Sequence, residues 1–399
     1  MSRLNILILL PRIPYPLRDG GAMAMHQTLE ELIKQDCTVS VLAMNTARHY
    51  VEEGDLPPVY KQLKVFKTVY INNQIHPLSA FLNLFTDKSY NISRFEDKGF
   101  SAALATLLKE EKFDIILFES IYTSPYLEEV QEQTEAKCFC RVHNIEYLIW
   151  QRLAEHESNF LKRKYLQLLT ERLQQYEIQK LKEFDLLLPI SKQEELFFIE
   201  QKINASYCLP FGTSISEPMD EIPEPDTLYH IGSMDWAPNL EAVEWFLKEV
   251  WIRLQKEMPT TKLFLAGKKM PKPIFAFQNE QTIVLGEIAD SAAFHASKEI
   301  LIVPLLSGAG IRIKILEAMA LGKCIIATTV AVEGIGVQDG VNIVLANDAE
   351  QFSQKIHHYI NHKEEQLKIG QQARVFVQTF YQKEKIYAEL IDGFKNLIG

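Results

Sequence analysis

An apolar strand, Ile300–Val303, runs into a glycine-bearing loop, Pro304–Arg312. A helix leaves that loop, and a second apolar strand, Cys324–Ala327, follows Gly322. Strand, loop, helix and strand in this order read as one crossover unit of a parallel sheet. The loop also points to chemistry. The backbone N–H groups of Gly308, Ala309, Gly310 and Ile311, with the positive end of the helix, face outward to an anion. Arg312 and Lys314 add two formal cations there, a position a helix N-terminus disfavours without an anion to answer them. Glu317 stands about one turn further on. A site for a phosphorylated ligand is the natural reading.

The same alternation runs through the whole chain. Asn5–Leu10, Thr38–Met44, Asp114–Phe118, Lys137–Val142 and Asp185–Pro189 read as strands, with helical segments at Met25–Gln35 and Phe160–Phe184. Ser216–Asp226 holds three prolines and five acidic residues in eleven positions, which sustains neither helix nor central strand. The pattern then restarts with strand Leu228–Ile231, helix Leu240–Glu257 and strands Thr261–Ala266 and Thr282–Leu285. Two doubly wound α/β domains facing a cleft are expected. The first spans residues 1–212, with a C-terminal helix near 383–399 packing back on it, and the second spans 213–382.

The 399 residues carry a formal charge of −10, which argues against a nucleic-acid partner. The apolar run at the N-terminus ends at Pro11 with no small-residue cleavage site after it, so a buried first strand is expected rather than a signal peptide. None of Cys37, Cys138, Cys140, Cys208 and Cys324 forms a C-x-x-C pair, consistent with reduced structural thiols in a cytoplasmic protein. The helix Phe160–Phe184 carries six basic residues. It reads as a solvated helix with one buried stripe, and a peripheral contact with the inner face of a membrane is the alternative. In Asn72–Phe100, Phe81, Leu82, Leu84, Phe85, Tyr90 and Phe95 suit a buried helix for about half their number. An exposed remainder would suit a lipid-linked or bulky acceptor.

Several motifs in order carry a family resemblance: Gly20-Gly21 after the first strand, His143-Asn144-Ile145-Glu146, Ile231–Asn239, Gly286-Glu287 and Gly308–Glu317. Taken together, the chain resembles the retaining family-4 glycosyltransferases of the GT-B fold. It looks closest to a subgroup whose donor loop reads Gly-x-Gly-x-Arg-x-Lys-x-x-Glu. The resemblance implies transfer of a sugar from a UDP- or GDP-sugar to a glycan or lipid-linked acceptor, with retention, in surface polysaccharide or glycan synthesis. It departs in one place. Many relatives place two glutamates with seven residues between them on this loop and helix, and Ala309 stands at the first of those positions, so the donor sugar stays open. Many also carry a basic pair after the first strand of the second domain. No basic residue lies between Gly232 and Glu241 here, so Arg312 and Lys314 are expected to supply that charge.

A departing diphosphate needs preorganised positive charge and N–H donors. Arg312 and Lys314 are the expected catalytic cations, beside the amides of Gly308–Ile311. No Asp-x-Asp pair occurs in the chain, so no metal and no other cofactor is expected. The resemblance places Glu317 on the ribose hydroxyls. Gly20 and Gly21 would let the first loop approach the donor phosphate or acceptor, or would form a simple turn. His143, at a strand end, would bond the sugar or assist the leaving group, or be a satisfied structural histidine. Glu146 is the candidate acceptor contact, with a cap as its alternative. Gly232, Ser233 and Asn239 would line the phosphates, and Asn239 could instead cap the following helix. Gly286 and Glu287 would pass the nucleobase with Lys268 nearby. Two rivals share the site. A nucleotide-sugar epimerase would convert the donor without an acceptor, and a non-catalytic nucleotide-sugar-binding protein would bind without turnover.

Overall fold

The computed structural model describes residues 3–17, 19–203, 205–215, 222–308 and 310–398. It divides into two compact units, Met1–Pro210 with Lys385–Gly399, and Phe211–Glu384. The linker-like segment 216–221 and Ala309 lie outside the described residues.

The first unit holds a parallel sheet of β1 (Asn5–Leu10), β2 (Thr38–Thr46), β3 (Val65–Ile71), β4 (Ile115–Phe118), β5 (Lys137–Val142) and β6 (Leu186–Pro189). Their spatial order is β3-β2-β1-β4-β5-β6. Strand β1 is apolar from Ile6 onward because both of its faces are covered. Leu7 and Leu9 belong to one core and Ile6, Ile8 and Leu10 to another on the opposite side. Residues 385–399 close the second of these cores. Tyr387, Leu390, Ile391 and Phe394 bury one stripe of the helix Lys383–Ile398, and Phe394 packs on Phe139 with ring centroids 4.9 Å apart.

The second unit repeats the plan with β7 (Thr227–Ile231), β8 (Lys262–Ala266), β9 (Thr282–Gly286), β10 (Ile300–Val303), β11 (Cys324–Ala327) and β12 (Val344–Leu345). The order β12-β11-β10-β7-β8-β9 is the same winding read from the other edge. In each unit the winding reverses beside the first strand, between β1 and β4 and between β7 and β10. Ligands of open α/β sheets bind outside the carboxyl ends of the strands at such a point.

Several elements differ from the sequence expectation. The first helix starts at Gly20 rather than Met25, because the Asp19 carboxylate accepts the Ala22 N–H at 2.9 Å and caps it. Strand β3 has no strong apolar run, since it is a half-buried edge strand, and β12 is two residues long. The long basic helix ends at Lys180 and tightens into a 3₁₀ turn, Leu181–Glu183. The helix expected at Leu240 starts at Ala237 and passes through a π-helical stretch, Phe246–Trp251. Between residues 72 and 100, Tyr90 and Phe95 are buried, whereas Phe81, Leu82, Leu84 and Phe85 are exposed.

Candidate active site

In the second unit the site forms where β7 and β10 end. Beyond β10 the chain turns through Gly308 and Gly310 and enters the helix Ile313–Ala320, with Arg312 at its cap position. Gly308 has φ +121°, and a Cβ there would stand 2.9 Å from the Trp236 ring, so no other residue fits without displacement. Trp236 faces the guanidinium of Arg312, whose Cζ lies 5.3 Å from the ring centroid. Arg312 is buried and also donates to the Gly310 carbonyl. Its charge therefore stands fixed at the loop that carries the N–H groups.

Lys314 points back across the sheet to the loop after β7. Its Nζ donates to the Ile231 carbonyl at 3.0 Å and to Asn239 Oδ1 at 2.9 Å, and lies 3.4 Å from His230 Nε2. His230 Nδ1 is 2.9 Å from the Ile302 carbonyl, so the proton belongs on Nδ1 and Nε2 offers a lone pair to the lysine. Burial and the neighbouring lysine keep that imidazole neutral, well below its usual range. Among the described residues, the cage around Lys314 holds dipoles and no carboxylate. Burial, and secondarily Arg312, lower its pKa from 10.5 to about 7. Gly232 leaves room for the arrangement, since a Cβ there would come within 2.7 Å of Asn239 Nδ2 and 3.0 Å of Lys314 Nζ. The basic group missing from the Gly232–Glu241 stretch thus arrives from the neighbouring helix.

Asn239 does not cap its helix. It lies inside the first turn, with Nδ2 donating to the Ser233 carbonyl at 2.9 Å while Oδ1 receives Lys314. The Ser233 hydroxyl is spent on Asp235 at 2.6 Å, which Lys269 also meets at 3.3 Å. Lys268 and Glu287 pair with each other at 3.3 Å on the exposed rim, next to Gly286 at φ +69°. Ile311 is half-buried before Arg312. Glu317 lies one turn into the helix, its side chain 37% exposed, and its Oε2 is 3.9 Å from His295 Nε2. Burial raises the Glu317 pKa.

In the first unit Gly20 and Gly21 follow β1, and His143 follows β5. Both glycines stand in the first turn of the helix after Asp19, whose carboxylate pairs with Arg12, with Arg12 Nη1 at 2.9 Å. His143, directly after β5, places Nε2 2.8 Å from Glu119 Oε2. Glu119 directly follows β4 and is fully buried, and Arg141 Nη1 lies 3.8 Å from its other oxygen. Burial alone would raise the Glu119 pKa, but Arg141 and His143 outweigh it and the net shift is downward, so the carboxylate stays ionised. Ser120 follows at φ 141° and ψ 157°, a region otherwise left to glycine, and this strain turns the chain at the strand end. Glu146 accepts from the Tyr122 hydroxyl at 2.8 Å, and burial raises its pKa. Its own N–H is held by Glu177 at 2.9 Å, which caps the helix Glu146–His156 from a neighbouring helix.

Sequence reasoning missed Glu119, Trp236, His230 and His295. Only Glu119 left a readable signal, since it directly follows an apolar strand as His143 does.

Residues 225–362 match the model of a family described as glycosyl transferases group 1. An uncharacterised 44.6 kDa protein in the cps region of Klebsiella pneumoniae is 25% identical over 97% of this chain and 98% of its own length. Among solved structures, a sucrose-phosphate synthase from Thermosynechococcus elongatus aligns with a TM-score of 0.71 at 15% identity, over 99% of both chains. Anabaena HepE in complex with UDP-glucose aligns with a TM-score of 0.63 at 12% identity, over 98% of this chain and 99% of that one. The family match lies within the second unit, and the two-unit fold is shared with GT-B glycosyltransferases.

Proposed function

We propose that this protein is a glycosyltransferase that moves a sugar from a UDP- or GDP-sugar to a glycan or lipid-linked acceptor, with retention and without a metal. The carrying observation is the pair Arg312 and Lys314, two cations fixed around a glycine loop at a helix N-terminus, with Glu317 one turn behind them. Arg312, with the loop amides, meets the charge that grows on the leaving diphosphate, and Lys314 adds a proton-bearing group beside it. Glu317, an acceptor-only carboxylate when ionised, receives the ribose hydroxyls. HepE has been crystallised with UDP-glucose, which favours a nucleotide-sugar donor here as well. The cps-region relative favours surface polysaccharide synthesis as the setting.

His143 is the proposed contact for the sugar, and Glu119 fixes its ring by accepting the Nε2–H hydrogen bond. Neither Glu146 nor Glu119 suits a covalent nucleophile, because Tyr122 occupies the first and His143 and Arg141 the second. Retention then follows a front-face route in which the departing phosphate takes the acceptor's proton.

The test is release of UDP or GDP from a nucleotide-sugar panel, with and without acceptors from a cell extract, in buffer and in excess EDTA. Acceptor-dependent release unchanged by EDTA is expected. Loss of turnover in EDTA would remove the metal-free reading. Conversion of the donor without acceptor would favour an epimerase, and binding without release would favour a silent binder.

A peripheral membrane location is part of the same proposal. Among the described residues no helix is long and apolar enough to cross a membrane. The first unit nevertheless exposes Phe85 at 78% and Leu161 at 77%, the latter directly before Lys162, Arg163 and Lys164. Apolar anchors beside basic residues suit an anionic bilayer surface. Sedimentation with phosphatidylglycerol vesicles but not with phosphatidylcholine vesicles is expected, weakened in a Phe160→Ser, Leu161→Ser variant. Equal sedimentation with both, or with neither, would overturn the assignment.

A further inference from the structure

We infer that His295 is a positioning residue for nucleotide binding: it holds the Glu317 carboxylate for the ribose, and Tyr229 sets its tautomer. The inference rests on the proposed role of Glu317 and adds two residues that do not themselves touch the donor.

His295 is fully buried at the end of the helix Ser291–Ala296. Its Nδ1 lies 2.8 Å from the hydroxyl of Tyr229, on β7 and equally buried. Two tautomers are available. With the proton on Nδ1, the Tyr229 hydroxyl must accept, and a bare Nε2 lone pair faces Glu317 Oε2 at 3.9 Å. With the proton on Nε2, the Tyr229 hydroxyl donates to Nδ1 and the N–H is aimed at the carboxylate. The second arrangement pairs opposite partial charges at both ends. It leaves one unmet demand, for His295 Nε2 is buried and has no hydrogen-bond partner among the described residues. A buried N–H left in that state costs free energy that a small rotation of the Glu317 carboxylate recovers.

The surroundings keep the imidazole a neutral donor. Burial, then Lys323 and Lys314, lower the His295 pKa to about 4. Lys323 is itself locked onto the Ala296 and Lys298 carbonyls at 2.7 and 2.8 Å, so its charge stays beside the ring. Burial meanwhile raises the Glu317 pKa, against the ionised form that ribose recognition needs. A directed N–H from His295 opposes that shift and leaves the remaining carboxylate lone pairs for two vicinal hydroxyls.

The test separates ribose recognition from folding. The wild type is titrated calorimetrically with UDP and GDP, and the tighter ligand is carried forward with its 2′,3′-dideoxy analogue. His295→Leu should weaken the parent nucleotide about tenfold or more, the loss expected for a hydrogen bond to a charged group. It should leave the dideoxy analogue unchanged. His295→Gln, whose amide N–H can replace Nε2–H, should restore most of the difference, and Tyr229→Phe should lose part of it. In a Glu317→Gln background, His295→Leu should add nothing.

Equal weakening of parent and analogue, or no weakening of either, would overturn the positioning role. Should His295→Leu fail to melt cooperatively, Tyr229→Phe and His295→Gln decide on the same pair of ligands. A wild type that binds parent and analogue alike, or is indifferent to Glu317→Gln, would instead remove the ribose role of Glu317. Binding of neither UDP nor GDP would overturn the donor reading, and this inference with it.

Discussion

Replacing Arg312 with alanine is expected to lower kcat/KM for the donor by about 10²–10³-fold, the loss typical of one preorganised charge-stabilising donor. The guanidinium is buried at the helix cap, stacked near Trp236 and fixed to the Gly310 carbonyl, so little reorganisation accompanies the growth of negative charge. The effect should follow the phosphates. UDP or GDP affinity should fall, while that of the matching nucleoside should not. Arg312→Lys should recover only part of the rate, because an ammonium lacks the planar fork and stacks less well on an indole. Turnover within twofold of the wild type in Arg312→Ala would remove Arg312 from the reaction.

The second large effect belongs to Lys314 and is read in pH. In the free protein its pKa is about 7, lowered from 10.5 by burial and by Arg312. A bound diphosphate brings the negative charge its cage lacks and raises that pKa, so binding takes up a proton above neutrality. Nucleotide affinity should therefore fall as pH rises from 7 to 9, by up to about tenfold per unit. Lys314→Met should bind more weakly at pH 7 and lose that slope. The sign for stability runs the other way. Between the folded value near 7 and the unfolded value of 10.5 the unfolded chain binds more protons, so the wild type gains stability as pH rises through that window. The penalty of a charged buried lysine is largest below pH 7. Lys314→Met should raise the melting temperature more at pH 6 than at pH 9. A pH-independent affinity in the wild type would show that Lys314 is already protonated in the free site.

Much of this was legible in the chain. Continuous apolar runs such as Ile6–Leu10 and Ile300–Val303 mark strands covered on both faces, and only a parallel sheet with helices on each side uses many of them. The glycine loop at 308–310, followed by two cations and a carboxylate at fixed spacing, reads as an anion site from the sequence alone. The absence of a basic residue after β7 even hinted that Lys314 would be borrowed. Local patterns carry this information because helix and strand periods, turn glycines and charges beside a helix end act within a few residues of one another.

Other features were silent for the opposite reason. Gly20 and Gly21 looked like a loop and became the first turn of a helix, since a single Asp19 side chain caps them. Strand β3 escaped because an edge strand is half-exposed and lacks an apolar signature.

Two doubly wound α/β units and the charged residues Arg312, Lys314 and Glu317 can be read from the amino-acid order. What those charges meet follows from how distant segments pack. Lys314 reaches His230 across 84 positions of chain, Tyr229 reaches His295 across 66, and His143 reaches Glu119 across 24. The first and last of these pairings depend on strand order, which lays the carboxyl ends of β7 and β10, and of β4 and β5, side by side, while the second needs the helix before β10 to pack against β7. No local period encodes that juxtaposition. It follows from the winding of the sheet, and the winding is settled by burial summed over the whole unit.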